Sequence, residues 1–549
     1  MKPFSVIDAV CSRSMKLSRR PIVALIFLCT ACVSHAHTSS TQSTHAPKNP
    51  PLSTVQGSIL VDAAGTEIPF DRRLLGTNAP AWIGPKKLDD PAFQKRVIDL
   101  GTTLIRMPGG SWSSSYDWLA CETGDAKGCD FPTAAKPSDY VKFLAATGIA
   151  GMWTTNFNET AQQAAALVAF FNGAADSTAL IGVDRNGIDW GTVGKWATLR
   201  ARGGHVVPQR VAYWEIGNEV YGAKAAAGAG CASFGWEDVW TCNGSKYISG
   251  DAQHDGYLAI RKAMRSVDPS ILVGAVGIGG HQSDWDNFGL DVIKGADGDV
   301  DFYIVHDYGF NSRPSTDAVL RRPEATWPDT TRGPRSALDD VNPTRSVPIA
   351  VTEYNLFAFA DGDTSAMMSH AVDGLYIADT IGQMASQGVK IANQWNLVNG
   401  ANSSGSDYGL FDPDSSQPTP QFFGLAMWSR FADSFIPSTS GFDSASILSA
   451  YAGRSADGRI TLLVINKAET STVATVQLEN SAIVFQGTAD VAQASSRDAT
   501  SMSYNGSKVA DGSLASHPGQ PITIAAGTGI AHTFPGTSIT LITLLPKPA

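Results

Sequence analysis

Three glutamates stand where carboxylate chemistry would need them. In VAYWEIGNEVYG, residues 211–222, Glu215 and Glu219 lie four apart on an apolar segment with the texture of a short buried strand, and Glu353 closes a second such run in VTEYN. Burying an ionisable carboxylate without partners is expensive, so each needs a structural or a chemical reason. Glu215 lies deeper in its strand and is read as an interior carboxylate tied to an Arg or a Trp N–H. Glu219 and Glu353 fall at strand ends. Two carboxyl groups aimed across one bond are what glycosidic cleavage requires: one protonated, to donate to the leaving oxygen, and one ionised, to attack the anomeric carbon or stabilise its charge. Different surroundings push the two pKa values apart.

The elements that must position them alternate along the chain. Short apolar runs at 74–78, 103–109, 151–156, 211–218, 271–277, 301–308, 348–355 and 390–396 alternate with helical patterns such as PAFQKRVIDLG and AVDGLYIADTIGQMASQG. Eight strands, each followed by a helix, predict an α/β fold, a (β/α)8 TIM barrel, over 73–428. Strands four and seven then deliver Glu219 and Glu353 to the C-terminal mouth. From 429 to 549 the texture changes to alternating β-branched runs (RITLLVINKA, TSITLITLLP), which predict a β-sandwich. The strand patterns at 55–72 precede the barrel and are expected to join that sandwich.

Composition narrows the partners. A formal net charge of -10 with 17% charged residues offers no basic field for nucleic acid or an anionic membrane. The apolar run from Pro21 to Cys29 is too short to span a bilayer. With Lys16, Arg19 and Arg20 before it and Ser34-His35-Ala36 after it, it predicts a signal peptide over 1–36 and export to the periplasm or outside the cell, with a flexible linker over 37–54. Cys32 in LCTAC is a candidate lipid-attachment cysteine. Beyond this leader four cysteines remain. Their spacing suggests local pairs, Cys121 with Cys129 and Cys231 with Cys242, among the three connectivities that four cysteines allow. No close ligand pairs of a zinc site are present, and DGDVD at 297–301 lacks the downstream Glu of a calcium loop and is read as a solvated acidic turn. No cofactor or metal is called for, and the sequence leaves the oligomeric state open.

WEIGNE followed by TEYN resembles the clan A retaining glycoside hydrolases, and IRMPGGSWSSSYDW at 105–118 is most similar to the strand-two segment of family 51, the α-L-arabinofuranosidases, with families 39, 30 and 79 as relatives. The resemblance implies a retaining hydrolase with Glu219 as general acid/base, Glu353 as nucleophile and Asn218 on the hydroxyl beside the anomeric carbon. Arg106 is a plausible charge partner for Glu353, with a structural role as its alternative. His306 and Tyr308, in VHDYG, match residues that in the clan bond the nucleophile or the sugar, although a lone His is often a core residue. Trp395 floors the sugar pocket or packs the core. Asn78, Trp112, Asp117 and Asn156 are further candidates for sugar hydroxyls. Inserts after strands two and four depart from family 51, and Trp236 and Trp240 in the second of them are expected to wall off subsites for an oligosaccharide. The implied substrate is an α-L-arabinofuranosyl linkage of plant cell-wall polysaccharide. A β-glycosidase or endo-glycanase of the same clan, and a non-catalytic carbohydrate-binding protein, are the alternatives.

Overall fold

The computed structural model describes residues 57–125, 129 and 133–547. The expected signal peptide, the linker and Cys32 lie outside the described residues.

Eight parallel strands close into a barrel: Gly76–Asn78, Leu104–Met107, Ala150–Thr155, Tyr213–Ile216, Leu272–Val276, Phe302–Phe310, Ile349–Phe357 and Ile391–Gln394. Closure is made where Gln394 of the eighth strand pairs with Thr77 of the first. Leu104, Met152, Phe302, Ile304, Ala350 and Ile391, drawn from five of these strands, form one buried apolar cluster. Each of the larger side chains among them contributes about 1.5–3 kcal/mol by leaving water. The barrel is therefore a packed core whose chemistry must sit at a rim.

One helix departs from expectation. Thr316–Val341, between strands six and seven, runs 26 residues through Pro323, Pro328 and Pro334. A proline inside a helix removes a hydrogen bond and clashes with the preceding turn, at about 3 kcal/mol, which hid this element in the sequence. Burial of Val319, Leu320, Trp327 and Leu338 offsets the cost.

The second layer is a β-sandwich. Strand Gly57–Asp62 lies parallel to Thr472–Glu479 and antiparallel to Ser438–Ser440, while Ile68–Pro69 pairs with Ser434–Phe435. Ile59, Val61 and Val476 from the smaller sheet share a core with Leu462, Val464 and Ile542 of the larger one. The acidic turn at 297–301 is ion-paired rather than merely solvated: Arg261 reaches Asp299 at 3.1 Å and Asp301 at 3.3 Å. Among the described residues, no helix is long and apolar enough to cross a membrane.

Candidate active site

Turns at the strand ends aim the functional side chains. Strand four stops at Gly217, whose φ of 84° suits only glycine. Glu219 itself adopts a left-handed backbone (φ 36°, ψ 42°), a strain of about 1–3 kcal/mol of the kind that collects at functional sites. After strand two, a Cβ on Gly110 would lie 2.4 Å from the Trp395 ring, so the Gly-Gly run is what admits that indole to the mouth.

Arg106, wholly buried, ties the site together. Its Nε donates to Glu215 Oε2, Nη1 to Glu353 Oε1 (2.8 Å) and to Asn78 Oδ1 (2.9 Å), and Nη2 to Asn218 Oδ1 (2.8 Å). One guanidinium thus offsets a deep carboxylate, Glu215, and a strand-end one, Glu353. Tyr308 donates to Glu353 Oε2 at 2.7 Å.

Glu219 has a different shell. His306 Nδ1 lies 2.9 Å from its Oε1, Tyr221 donates to the same oxygen at 3.0 Å, and Trp236 Nε1 donates to Oε2 at 2.6 Å. His306 Nε2 meets Thr352 Oγ1 at 3.0 Å, and Nδ1 also lies 3.6 Å from Glu353 Oε2. Burial pushes the Glu219 carboxyl up, but the bond and charge of His306, with the Trp236 and Tyr221 bonds, outweigh it and hold Glu219 below the usual carboxylate range. For His306 burial acts downward, and the charges of Glu353 and Glu219 override it and raise the imidazole. Both shifts favour a carboxylate beside an imidazolium, with His306 Nδ1 2.9 Å from the Glu219 oxygen that its proton can reach.

A fourth carboxylate escaped the sequence reading. Glu237, fully buried, accepts from Ser111 Oγ (2.6 Å), Ser114 Oγ (2.8 Å) and Asn218 Nδ2 (2.9 Å). Burial, and next the charge of Glu219, push its carboxyl up to about 7. The folded protein thus keeps a proton that the unfolded chain releases in the ordinary carboxylate range, so stability falls as pH rises from that range to about 7. Glu237→Gln keeps an acceptor oxygen and abolishes the titration. Its melting temperature relative to wild type is expected to climb between pH 5 and pH 8, and a constant difference across that range would refute the assignment.

Other expected residues fall differently. Trp395 lines the cavity that holds Glu219 and Glu353. Asn78 is a buried strut, bonded to Arg106 and to backbone carbonyls of Thr352, Asn393 and Gln394, so it does not face a sugar. Asp117 caps the helix Trp118–Thr123 through Leu119 N and Ala120 N, and Asn156 accepts from the Asn158 backbone; neither lines the cavity. Trp112 packs edge-on against Trp82, itself 5.8 Å from Trp395, one layer behind the mouth. Trp236 lines the cavity, whereas Trp240 stacks on His254 and Phe157 away from it. Disulfides join Cys121 to Cys129 and Cys231 to Cys242, the latter closing the loop that carries Trp236 and Glu237.

No family model matches the chain. Over 221 residues it is 24% identical to proteins named probable alpha-L-arabinofuranosidase C from Aspergillus fumigatus and Aspergillus niger, covering 37% of this chain and 35% of each relative. The match therefore spans about a third of those relatives' length. Among solved structures, the α-L-arabinofuranosidase of Thermotoga maritima in its arabinose complex superposes with TM-score 0.65 at 18% identity, covering 89% of this chain and all of that one. A family 51 α-L-arabinofuranosidase from Bifidobacterium longum gives 0.64 at 16% identity, over 89% of this chain and 99% of that one. A family 44 xyloglucanase from Paenibacillus polymyxa gives 0.59 at 13%, with the same coverage. At these identities the likeness is one of fold.

Proposed function

We propose that the chain is a retaining glycoside hydrolase that releases α-L-arabinofuranosyl groups from plant cell-wall glycans, working outside the cytoplasm, where its two disulfides persist. The observation that carries this reading is the carboxylate pair. Oxygens of Glu219 and Glu353 lie within 4.8 Å of one another at the C-terminal mouth of the barrel, in unlike shells. An approach this close is in keeping with a covalent double displacement, for which carboxyl groups stand about 5–5.5 Å apart, more than with an inverting enzyme at about 6.5–9.5 Å. The Aspergillus relatives and the Thermotoga and Bifidobacterium structures favour arabinofuranose as the sugar.

In the first step a Glu353 oxygen attacks the anomeric carbon. The glycosidic C–O bond breaks with its electron pair on the leaving oxygen, which takes a proton that passes from His306 Nδ1 through Glu219, leaving Glu219 as carboxylate and His306 neutral. In the second, water attacks the same carbon, Glu219 accepts its proton and returns it to His306, and Glu353 is released as carboxylate. Arg106 and Tyr308 hold Glu353 for attack, and Asn218, gripped by Arg106 and Glu237, is placed to meet the neighbouring hydroxyl.

The function is tested by chromophore release from aryl α-L-arabinofuranoside, β-D-xyloside, β-D-glucoside, β-D-galactoside and β-D-glucuronide by wild type and Glu353→Ala. Cleavage of the arabinofuranoside, lost in the variant, is the expected result. Activity retained in Glu353→Ala would refute its role as nucleophile; silence of both proteins on every member leads to polysaccharides, where an endo-glycanase cleaves and a carbohydrate-binding protein does not.

The stored proton makes a further prediction. In wild type the productive proton is lost only as the raised His306 titrates; in His306→Ala a carboxyl alone must keep it. The alkaline limb of the kcat/KM profile should move to lower pH in the variant. A limb that stays in place would deny His306 this role.

A further inference from the structure

Resting on the glycosidase reading, we propose that the loops over strands four, five and seven form an aglycone subsite, binding uncharged sugar rings of the glycan chain on the leaving-group side of the cleaved bond. The geometry starts at the proton donor. The leaving oxygen takes its proton from Glu219, so the chain beyond it must lie on Glu219's side of the mouth. Trp236 bonds Glu219 Oε2, and from its indole an aromatic wall leads outward: Trp285 at 5.6 Å, Phe359 at 6.3 Å and Phe234 at 6.5 Å between ring centroids. Phe234 is 71% exposed and Phe359 61%. All four line one cavity with the two glutamates. Its volume, about 1220 Å³, exceeds the ~300–1,000 Å³ typical of drug-sized ligands and leaves space for several sugar rings.

Two further observations point the same way. Trp285, Asp286 and Asn287 hold three consecutive left-handed conformations, with φ of 54°, 55° and 64°. Such strain persists only where surrounding structure enforces it, and it gathers at ligand clamps. At the same cavity, Arg322 and Thr326 add polar side chains to the lining. Apolar ring faces and polar groups on one cavity match a sugar, which offers C–H faces and hydroxyl edges; the charges along the cavity come in both signs, Arg322 and Arg332 with Asp307 and Asp329, so they do not select an acidic one.

The test compares kcat/KM for arabinoxylan oligosaccharides with kcat/KM for p-nitrophenyl α-L-arabinofuranoside, in wild type, Phe234→Ala, Phe359→Ala and the double variant. Both phenylalanines are solvent-exposed, so folding should tolerate their loss. Losing about 1.4 kcal/mol of ring contact is a tenfold effect. The oligosaccharide-to-aryl ratio is expected to fall roughly tenfold in the double variant, through KM. Equal effects on both substrates, or none, would overturn the subsite while leaving the glycosidase reading intact. If wild type cleaves neither substrate, the reading fails and the subsite fails with it. Tryptophan fluorescence gives a second readout: the oligosaccharide should quench Glu353→Ala saturably, and the quench should weaken when Phe234 and Phe359 are also removed.

Discussion

Glu353→Ala is expected to lower kcat by roughly 10⁵- to 10⁶-fold, the scale seen when a covalent nucleophile is deleted. The loss follows from position: Arg106 and Tyr308 hold the two Glu353 oxygens at 2.8 and 2.7 Å. Sodium azide should restore part of the rate, because the anion fits the space vacated beside the Arg106 guanidinium. Azide attacks there directly, so the glycosyl azide should carry inverted configuration. Glu219→Ala should behave oppositely. Attack on the glycosyl-enzyme gives an azide of retained configuration, and the rate loss, about 10²- to 10⁴-fold on natural leaving groups, should shrink on an activated aryl leaving group that needs no proton. Swapped configurations would reverse the two roles.

Arg106→Met should be among the most destabilising single changes in the barrel. Its guanidinium and Glu215 are each 1% exposed, and Glu353 is 6% exposed. Removing the cation leaves two buried carboxylates uncompensated, a cost of about 3–5 kcal/mol. Asn78 and Asn218 lose a donor as well, and misplacing a catalytic group by about an ångström costs around 10²-fold in rate. Urea denaturation of Arg106→Met against Arg106→Met/Glu215→Gln separates the effects. The second change should recover part of the stability, since it neutralises one orphaned charge, but not the activity. A single variant as stable as wild type would show that Arg106 does not hold the carboxylates.

The barrel was legible because each strand is a short buried run whose last residues turn polar, as in VTEYN and VAYWEIGN. Its period and the two strand-end glutamates survive any loop between them. Residues whose roles depend on packing did not show. Asp117 and Asn156 were polar residues at suggestive positions, yet both serve neighbouring backbone N–H groups, a use that the Asp-Trp-Leu-Ala helix start already hinted at for Asp117. Asn78 looked like a sugar ligand and is an interior strut, because a strand of three residues buries all of its side chains. Glu237 sits 18 residues past Glu219 in a Gly- and Ala-rich insert, where nothing local marks a buried acid; the Trp-Glu pair between two bonded cysteines was the available signal. The helix with three prolines was hidden by its own breakers, and with it Arg322 and Thr326 at the cavity.

The central claim is double displacement by Glu353 and Glu219 across one bond. It is tested most directly by proton NMR of the first sugar released by wild type from an aryl α-L-arabinofuranoside, recorded before mutarotation. The carboxylate spacing predicts that the α-anomer appears first, with its configuration retained. Initial release of the β-anomer would mean direct displacement by water, and Glu353 would not be the nucleophile.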